Sequence, residues 1–305
     1  MYQKLDKIME NCGNPQGLAV YIPFNSQGDD HIEDYLGMIG IPVEPTPDFP
    51  EYNENCSSVL VTAASLKDCE IIKKIKDFTK AGGKVIATSS FMIGALKTYP
   101  EVTDLTSIRY TDRRLDADEF QAPINGFYGK NYVKSRETIS FPILEHRNNA
   151  TWSIANAGHG EYHESIIMYD TYGKGKFEVI NLPDMPSRIR DLPAEIQTAL
   201  RYELLGNGKI WMDCGYGVSL FTYDNDTFGI YCYTNDGCVP LDFNIHIKKE
   251  NIKLTRIFDS DEKPMFMQSE INPAYVSSLD KEEKESVFHI RIIPGDFQFF
   301  KIAGA

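Results

Sequence analysis

The stretch from Ser58 to Thr88 reads SVLVTAASLKDCEIIKKIKDFTKAGGKVIAT and places a helical pattern between two short apolar runs. The runs Ser58–Thr62 and Lys84–Thr88 have the length and apolar character of buried parallel strands. Ser65 predicts the start of the helix and Gly82 predicts its end. The inward face of the helix is predicted from residues at helical spacing: Leu66, Cys69, Ile72, Ile75 and Phe78. The stretch therefore predicts one βαβ unit.

Similar patterns extend on both sides of this unit. Gly17–Pro23 predicts an earlier buried strand, Phe177–Leu182 a later one, and Pro193–Leu205 a helix that begins at a proline. Residues 100–165 are less regular and predict only short strand-like pieces. We therefore expect residues 1–206 to form an α/β domain with a flavodoxin-like parallel sheet flanked by helices.

From Lys209 onward the apolar period changes from about 3.6 residues to 2. Apolar residues then alternate with polar ones, and Asp224–Asp226 predicts a hairpin turn. The alternating apolar residues include Phe228, Ile230, Cys232, Leu241, Phe243, Ile245, Ile247, Phe288, Ile290 and Ile292. Several short strands in about 100 residues predict a small antiparallel, immunoglobulin-like β-sandwich over residues 207–305.

The composition excludes several classes of function. The chain has 31 basic and 44 acidic residues, a net charge of -13, and 42% hydrophobic residues. Such a surface repels phosphate backbones and anionic lipid, so we expect no nucleic-acid and no membrane partner. The N-terminus lacks the apolar core of a signal peptide, so we expect a cytoplasmic chain unless an export signal lies upstream. The six cysteines form no CxxC pair and predict buried thiols.

Ser89 occupies the position of a nucleophile elbow, because it follows a predicted strand and precedes a helical pattern. A strained elbow needs small neighbours, but Phe91 stands where a glycine is required. No Asp or His has an evident role as a partner. We therefore expect no catalytic residue here, with nucleophilic Ser89 as the alternative.

His159 and His163 have the spacing of a zinc motif, and Glu164 adjoins them, but such a motif binds zinc only on a helix. Gly158 and Gly160 favour a loop, so we expect no metal and no cofactor, with His163 and Glu164 as alternative catalytic residues. His246 and His289 fall on the polar faces of predicted strands and are expected to be solvated.

Ligand contacts are predicted at two places only as alternatives to ordinary structural roles. Asn25, Ser26 and Asp29 lie in the loop after the first strand, where open α/β sheets bind ligands. The acidic residues there also fit helix capping. Trp152 and Trp211 could stack on a sugar, although aromatic residues are more often part of a core.

Several motifs together resemble the C-terminal half of large bacterial glycoside-hydrolase-like proteins, of which the family 42 β-galactosidases are the best-known. The motifs are GKGKFEVINLPD at 173–184, DLPAEI at 191–196, VSLFTYDNDTF at 218–228, TISFPILE at 138–145 and NATW at 149–152. The resemblance spans Gly17 to about Ile302. It implies a class I glutamine-amidotransferase-like, or trimerisation-like, domain followed by a β-sandwich, both placed behind a TIM barrel.

In that layout the catalytic glutamates belong to the barrel, so none is carried over to this chain. Ser89 stands where an amidotransferase cysteine would be, without the glycines beside it. The resemblance implies a non-catalytic accessory region in carbohydrate metabolism, partnered by a barrel or by further copies in a dimer or trimer. The alternatives are a free-standing hydrolase or amidotransferase relative that uses Ser89, and a carbohydrate-binding module.

Overall fold

The computed structural model describes residues 6, 8–10, 12–24, 26, 31–53, 56–124, 127–128, 132–205, 210–234, 239–259, 269–271, 275–280 and 283–304. It divides into two compact units. One unit comprises Leu18–Tyr35 and Glu44–Ala199, and the other comprises Met1–Gly17, Leu36–Val43 and Leu200–Ala305. The division after Ala199 differs from the expected one at residue 206, and two N-terminal segments belong to the second unit.

The helices of the described chain are α1 (Ile32–Met38), α2 (Ile71–Ala81), α3 (Ser89–Thr98) and α4 (Ala194–Leu204). Short 3-10 helices cover Ala63–Lys67, Pro100–Asp104 and Pro186–Asp191. None of these helices has the length and apolar character that a membrane crossing requires.

The described strands are, in chain order, β1 (Pro15–Gln16), β2 (Leu18–Tyr21), β3 (Val43–Thr46), β4 (Ser58–Val61), β5 (Lys84–Thr88), β6 (Ile108–Gln121), β7 (Pro123–Ile124), β8 (Phe127–Tyr128), β9 (Val133–His146), β10 (Trp152–His159), β11 (Tyr162–Tyr172), β12 (Gly175–Ile180), β13 (Ile210–Met212), β14 (Val218–Tyr223), β15 (Thr227–Cys232), β16 (Leu241–Ile247), β17 (Ile252–Asp259), β18 (Ser269–Ile271), β19 (Tyr275–Asp280), β20 (Glu283–Ile292) and β21 (Phe297–Gly304).

A nine-stranded sheet of order β3-β2-β4-β5-β12-β11-β10-β6-β9 forms the centre of the first unit. Neighbouring strands are parallel from β2 through β4 and β5 to β12. From β12 onward, through β11, β10, β6 and β9, each strand pairs antiparallel with the next. The sheet is therefore mixed rather than wholly parallel, and the flavodoxin-like, amidotransferase-like classification stays a prediction.

The central βαβ unit follows the sequence prediction at both strands. On β5, Val85, Ile86 and Ala87 are completely buried. The helix α2 begins at Ile71 rather than at Ser65, because Thr62 instead caps a separate 3-10 helix. Cys69 falls between the two helices and is exposed, so its predicted place on the apolar face was wrong.

The expectation of short pieces over residues 100–165 was also wrong, because β6 and β9 each span 14 residues.

A buried carboxylate anchors the start of β6. Asp170 is 6% exposed and accepts hydrogen bonds from Thr106 Oγ1 at 2.5 Å, Ser107 N at 3.1 Å and Thr151 Oγ1 at 2.7 Å. These contacts join segments far apart in sequence, which local periodicity does not report.

The second unit contains two antiparallel sheets, of order β1-β14-β15-β21-β17-β18 and β13-β16-β20-β19. Both sheets contribute to one apolar core, with Phe228 and Ile230 from the first and Phe243 and Ile245 from the second. The predicted alternation is confirmed at these strands, and Asp226 lies in the predicted hairpin turn with φ 59°. The immunoglobulin-like classification stays a prediction.

Arg201 of α4 is completely buried in this unit. Its guanidinium donates to the carbonyl oxygens of Ile39 and Cys214, to that of Gly215 at 3.0 Å and to that of Met212 at 3.5 Å. A planar fork with five N–H donors suits several carbonyls at once. Arg201 therefore links the N-terminal segment 36–43 to the start of the sandwich.

Candidate functional site

The first candidate site is the carboxyl edge of the parallel strands, where β5 leads directly into α3. Ser89 is the first residue of α3, and the Thr88 hydroxyl caps this helix by accepting from Phe91 N at 3.2 Å. Ser89 is 4% exposed, and its hydroxyl oxygen accepts a hydrogen bond from Leu182 N at 3.0 Å. Within the described chain, Ser89 has no imidazole or carboxylate partner. The predicted strand-to-helix position is confirmed, but the hydroxyl oxygen of Ser89 is engaged in a hydrogen bond with the backbone.

At the neighbouring strand ends on this edge, polar side chains also make hydrogen bonds to backbone groups. The hydroxyl of Ser65 donates to Tyr21 O at 2.7 Å and accepts from Thr62 N at 3.1 Å. Asn181 donates through its side-chain amide to Pro142 O at 2.6 Å. Polar side chains here satisfy backbone groups that would otherwise be buried without partners, which is a structural use.

A phenol–carboxylate–ammonium cluster at this edge was not predicted from the sequence. Asp68 Oδ2 accepts from Tyr21 OH at 2.8 Å and from Lys74 Nζ at 2.6 Å. Burial, together with the hydrogen bond to Asp68, raises the pKa of Tyr21 to about 12. The phenol therefore stays protonated at neutral pH and cannot act as a base. The cluster ties the end of β2 to the start of α2.

His163 and Glu164 lie on β11 rather than in a loop, so that expectation was wrong. The ring of His163 stacks on Tyr132 with centroids 4.1 Å apart, and its Nε2 lies 3.6 Å from Glu119 Oε2. Glu164 Oε1 accepts from Tyr162 OH at 2.6 Å. Successive strand residues point to opposite faces, so His163 and Glu164 do not form one catalytic pair.

His159 is the last residue of β10, and its Nδ1 lies 2.7 Å from Asp118 Oδ1. This hydrogen bond raises the pKa of His159. The pair is exposed to solvent, and the described part of the chain holds no group of three or more side chains that could bind a metal ion. His159 and His163 thus each have a different carboxylate neighbour and no shared site.

The predicted ligand contacts separate into two groups. Asn25 and Asp29 lie outside the described residues, whereas Ser26 is described and donates its backbone N–H to Pro23 O at 3.1 Å. Trp152 is 61% exposed at the start of β10. It lies opposite Tyr169, whose ring centroid is 4.6 Å from Lys176 Nζ. Trp152, Tyr169 and Lys176 form what we call the Trp152 patch.

A buried histidine in the second unit was predicted wrongly as solvated. His246 is 7% exposed, with Nδ1 2.9 Å from Glu285 Oε1 and Nε2 3.4 Å from Asp213 Oδ2. Its ring stacks on Trp211 at 3.7 Å, and Trp211 is itself buried. Burial opposes protonation of this ring, but the two carboxylates outweigh it and raise the pKa of His246. His289, by contrast, is exposed as predicted.

These carboxylate partners are 33 and 39 residues from His246 in sequence. The only sequence signal for the network was the alternation of β16, which places His246 opposite the core face. The imidazole is held on both sides, and the described residues offer no hydroxyl or thiol partner to it. The network can hold a buried charge, and its geometry is that of a structural ion cluster.

Comparisons with known proteins bear on the fold. The model of a protein family described as "Uncharacterized protein SSO3021, second domain" matches residues 13–185, more than half of the chain. No curated protein matches the sequence.

Solved structures match nearly the whole chain. α-L-Fucosidase isoenzyme 2 from Paenibacillus thiaminolyticus is 11% identical, with a TM-score of 0.56, over 99% of this chain and 51% of that one. A polyextremophilic β-galactosidase from the Antarctic haloarchaeon Halorubrum lacusprofundi is 13% identical, with a TM-score of 0.50, over 95% and 40%. Gan42B, a GH42 β-galactosidase, is 13% identical, with a TM-score of 0.49, over 96% and 41%.

The chain therefore spans only about half or less of the length of these proteins. It shares its fold with a part of the fucosidase and of the haloarchaeal β-galactosidase. At 11% and 13% identity the likeness concerns the fold, and none of their residues is carried over.

Proposed function

This chain belongs to the family of the second domain of the uncharacterized protein SSO3021, and from that premise we propose that it is a non-catalytic accessory region of a glycoside-hydrolase-type protein. Its role would lie in carbohydrate metabolism. Its partners would be a TIM-barrel catalytic domain, on the same or another chain, and further copies of itself in a dimer or trimer.

The observation that carries this proposal is the state of Ser89. A nucleophilic serine needs an exposed hydroxyl, an adjacent base and amide donors around an open site. Ser89 is 4% exposed and its oxygen accepts from Leu182 N. His163 and Glu164 are each engaged with different neighbours. The described residues therefore offer no assembled set of nucleophile and base.

The similarity to solved glycoside hydrolases supports the rest of the proposal. By their names the Paenibacillus protein is a fucosidase and the haloarchaeal protein is a β-galactosidase, and this chain corresponds to about half or less of each. A fold that accompanies such enzymes, with no assembled catalytic set among the residues that the structure describes, is consistent with an accessory role.

A hydrolysis assay tests the proposal. The purified chain is incubated with aryl β-galactosides and aryl α-L-fucosides, with heat-inactivated protein as the control. We expect release of the aryl alcohol at the uncatalysed rate. Saturable turnover that co-purifies with the chain, and that is lost when the chain is heated, would contradict the accessory role.

The exposure of Trp152 favours a second candidate function, direct contact with carbohydrate. An indole that is 61% exposed beside a phenol and an ammonium group offers a stacking surface and a hydrogen-bond donor. Ligand sites combine apolar surface with a few polar groups in this way. This function is compatible with the first, because an accessory region can hold a substrate near a partner's active site.

A further inference from the structure

The Trp152 patch carries an exposed positive charge in a chain that is acidic as a whole. Lys176, the second residue of β12, is exposed, and its ammonium group lies 4.6 Å from the ring centroid of Tyr169. Among the residues that the structure describes, none with a carboxylate forms an ion pair with this ammonium group. The net charge of the chain is -13, so the patch differs in sign from the surface expected around it.

A carboxylate beside the patch is already engaged. Glu178 lies directly opposite Tyr169 in the pairing of β11 with β12, is fully buried, and has its Oε2 2.7 Å from Lys84 Nζ. Lys84 in turn lies directly opposite Lys176 in the pairing of β5 with β12. Two ammonium groups therefore share one carboxylate, and one positive charge remains. Like charges at facing positions of adjacent strands repel each other, so an anion bound at Lys176 would relieve this repulsion.

An exposed indole lies beside this charge. Trp152 is 61% exposed and faces Tyr169 across β10 and β11, so the two side chains lie on the same face of the sheet. Trp152 and Lys176 belong to strands two spacings apart, about 10 Å, with Tyr169 between them. A sugar ring that stacks on the indole can therefore place a substituent over Tyr169, within reach of the ammonium group. Ligand sites combine an apolar surface with a few charged or polar groups that fix orientation.

We propose that the Trp152 patch binds a saccharide that carries an anionic group. The indole of Trp152 stacks on the apolar face of a sugar ring, and the ammonium group of Lys176 pairs with a carboxylate or sulfate on the same saccharide. An uncharged sugar makes only the first contact, and a free anion makes only the second. This inference rests on the second candidate function, contact with carbohydrate, and adds the class of saccharide.

Binding of three matched sugars tests the proposal. Methyl galactoside, methyl galacturonide and a sulfated methyl galactoside differ only in the exocyclic group, which is a hydroxymethyl group, a carboxylate or a sulfate ester. Each is titrated into the full chain at about 0.05 M salt. We expect one or both anionic sugars to bind about 3- to 5-fold more tightly than the neutral one, as an exposed charge pair allows. The anionic sugar that binds more tightly identifies the anion as a carboxylate or a sulfate.

Salt and charge substitutions separate the two contacts. Raising the salt to about 0.5 M should remove most of the preference for the anionic sugar, because the charge pair is exposed. Lys176→Gln should abolish the preference and leave binding of the neutral galactoside within about 2-fold. Trp152→Ala should weaken binding of all three sugars by about 10-fold or more.

The matched control is Lys97→Gln, which removes the same charge elsewhere. Lys97 is exposed on α3. The buried residues of this helix pack with Phe177 and Val179, on the other face of β12 from Glu178. This variant should keep the preference for the anionic sugar.

The indole N–H signals in nuclear magnetic resonance spectra locate the bound sugar. The chain has two tryptophans, and Trp211 is buried in the second unit. The signal of Trp152, identified by its loss in Trp152→Ala, should shift during the titration, and the signal of Trp211 should not. This readout requires no folded variant with altered charge.

Equal binding of the neutral and both anionic sugars, a preference that survives in Lys176→Gln, a preference that is lost in Lys97→Gln, or a shift at Trp211 alone would each overturn the proposal. Equal binding would leave contact with carbohydrate standing, whereas no binding of any of the three sugars would overturn that function as well. None of these results bears on glycoside turnover by the purified chain, so the accessory role is tested separately.

Discussion

The hydroxyl oxygen of Ser89 accepts a hydrogen bond from the backbone N–H of Leu182 at 3.0 Å, across the junction of β5 and β12. The two residues are 93 positions apart in sequence and both are buried. The contact supplies the Leu182 N–H with a partner just after β12 ends. Ser89, whose position resembles a nucleophile elbow in the sequence, thus makes a structural hydrogen bond between the segments that follow the parallel strands β5 and β12.

Replacing Ser89 with alanine should lower the free energy of unfolding by about 1–3 kcal/mol, because the buried N–H of Leu182 would lose its acceptor. Urea denaturation of the variant and the wild-type chain measures this difference. Thr103→Ala is the control, because its exposed hydroxyl donates to Pro100 O at the surface. That control should change stability by less than about 0.5 kcal/mol. Equal effects of the two substitutions would contradict the assigned role of Ser89.

Replacing Arg201 with methionine should destabilise the second unit by about 3–5 kcal/mol, because buried carbonyl groups would lose their donors. Arg201→Lys should restore little of this, since one ammonium group cannot reproduce the planar fork that reaches Ile39, Cys214 and Gly215. Thermal unfolding followed by circular dichroism checks both variants. Arg190→Met is the exposed control, and a matching loss there would show that any Arg-to-Met change is harmful.

The stability of the second unit should depend on pH through His246. Because the pKa of His246 is raised in the folded state, its contribution is complete below the ordinary value of 6.5 and is lost as the pH rises through the raised pKa. The melting temperature of the wild-type chain should therefore fall as the pH rises from 6.5 through the raised pKa of His246. His246→Gln should flatten this part of the profile, and the exposed His289→Gln should not. An unchanged profile in His246→Gln would rule out this network as the source.

If the Trp152 patch contacts carbohydrate, Trp152→Ala should weaken binding of a galactoside or fucoside by about 10-fold or more, as expected for the loss of one aromatic stacking partner. Isothermal titration calorimetry with the purified chain measures this. Tyr162→Ala is the control, because Tyr162 is 46% exposed away from the patch. Binding that is equally reduced in both variants, or absent from the wild-type chain, would count against the second candidate function.

The sequence predicted those elements that are built from local apolar patterns. The strands β4, β5 and β12 and the helix that starts at Ser89 are short, buried and bounded by strong turn or cap residues. The long strands β6 and β9 were missed, because their exposed charged residues break the alternation and both carry irregular register. A strand stabilised mainly by its pairing with distant segments has a weak local signal.

The side-chain clusters were the hardest feature to predict. Asp170 finds its partners at Thr106 and Thr151, and His246 finds its own at Asp213 and Glu285. The residue types in these clusters are ordinary in an acidic chain. Only the pairing of strands brings these residues together. The burial of His246 therefore could not be predicted from its position on the polar face of a strand with alternating apolar residues.

The reactivity of the Ser89 hydroxyl tests the non-catalytic role most directly. The folded chain is incubated with a fluorophosphonate probe, which reacts with activated serines, and the adduct is located by peptide mass spectrometry. Because the Ser89 oxygen is buried and accepts from Leu182 N, we predict no adduct at Ser89. Stoichiometric labelling of Ser89 in the folded chain, abolished by unfolding it first, would show instead that this serine is an activated nucleophile.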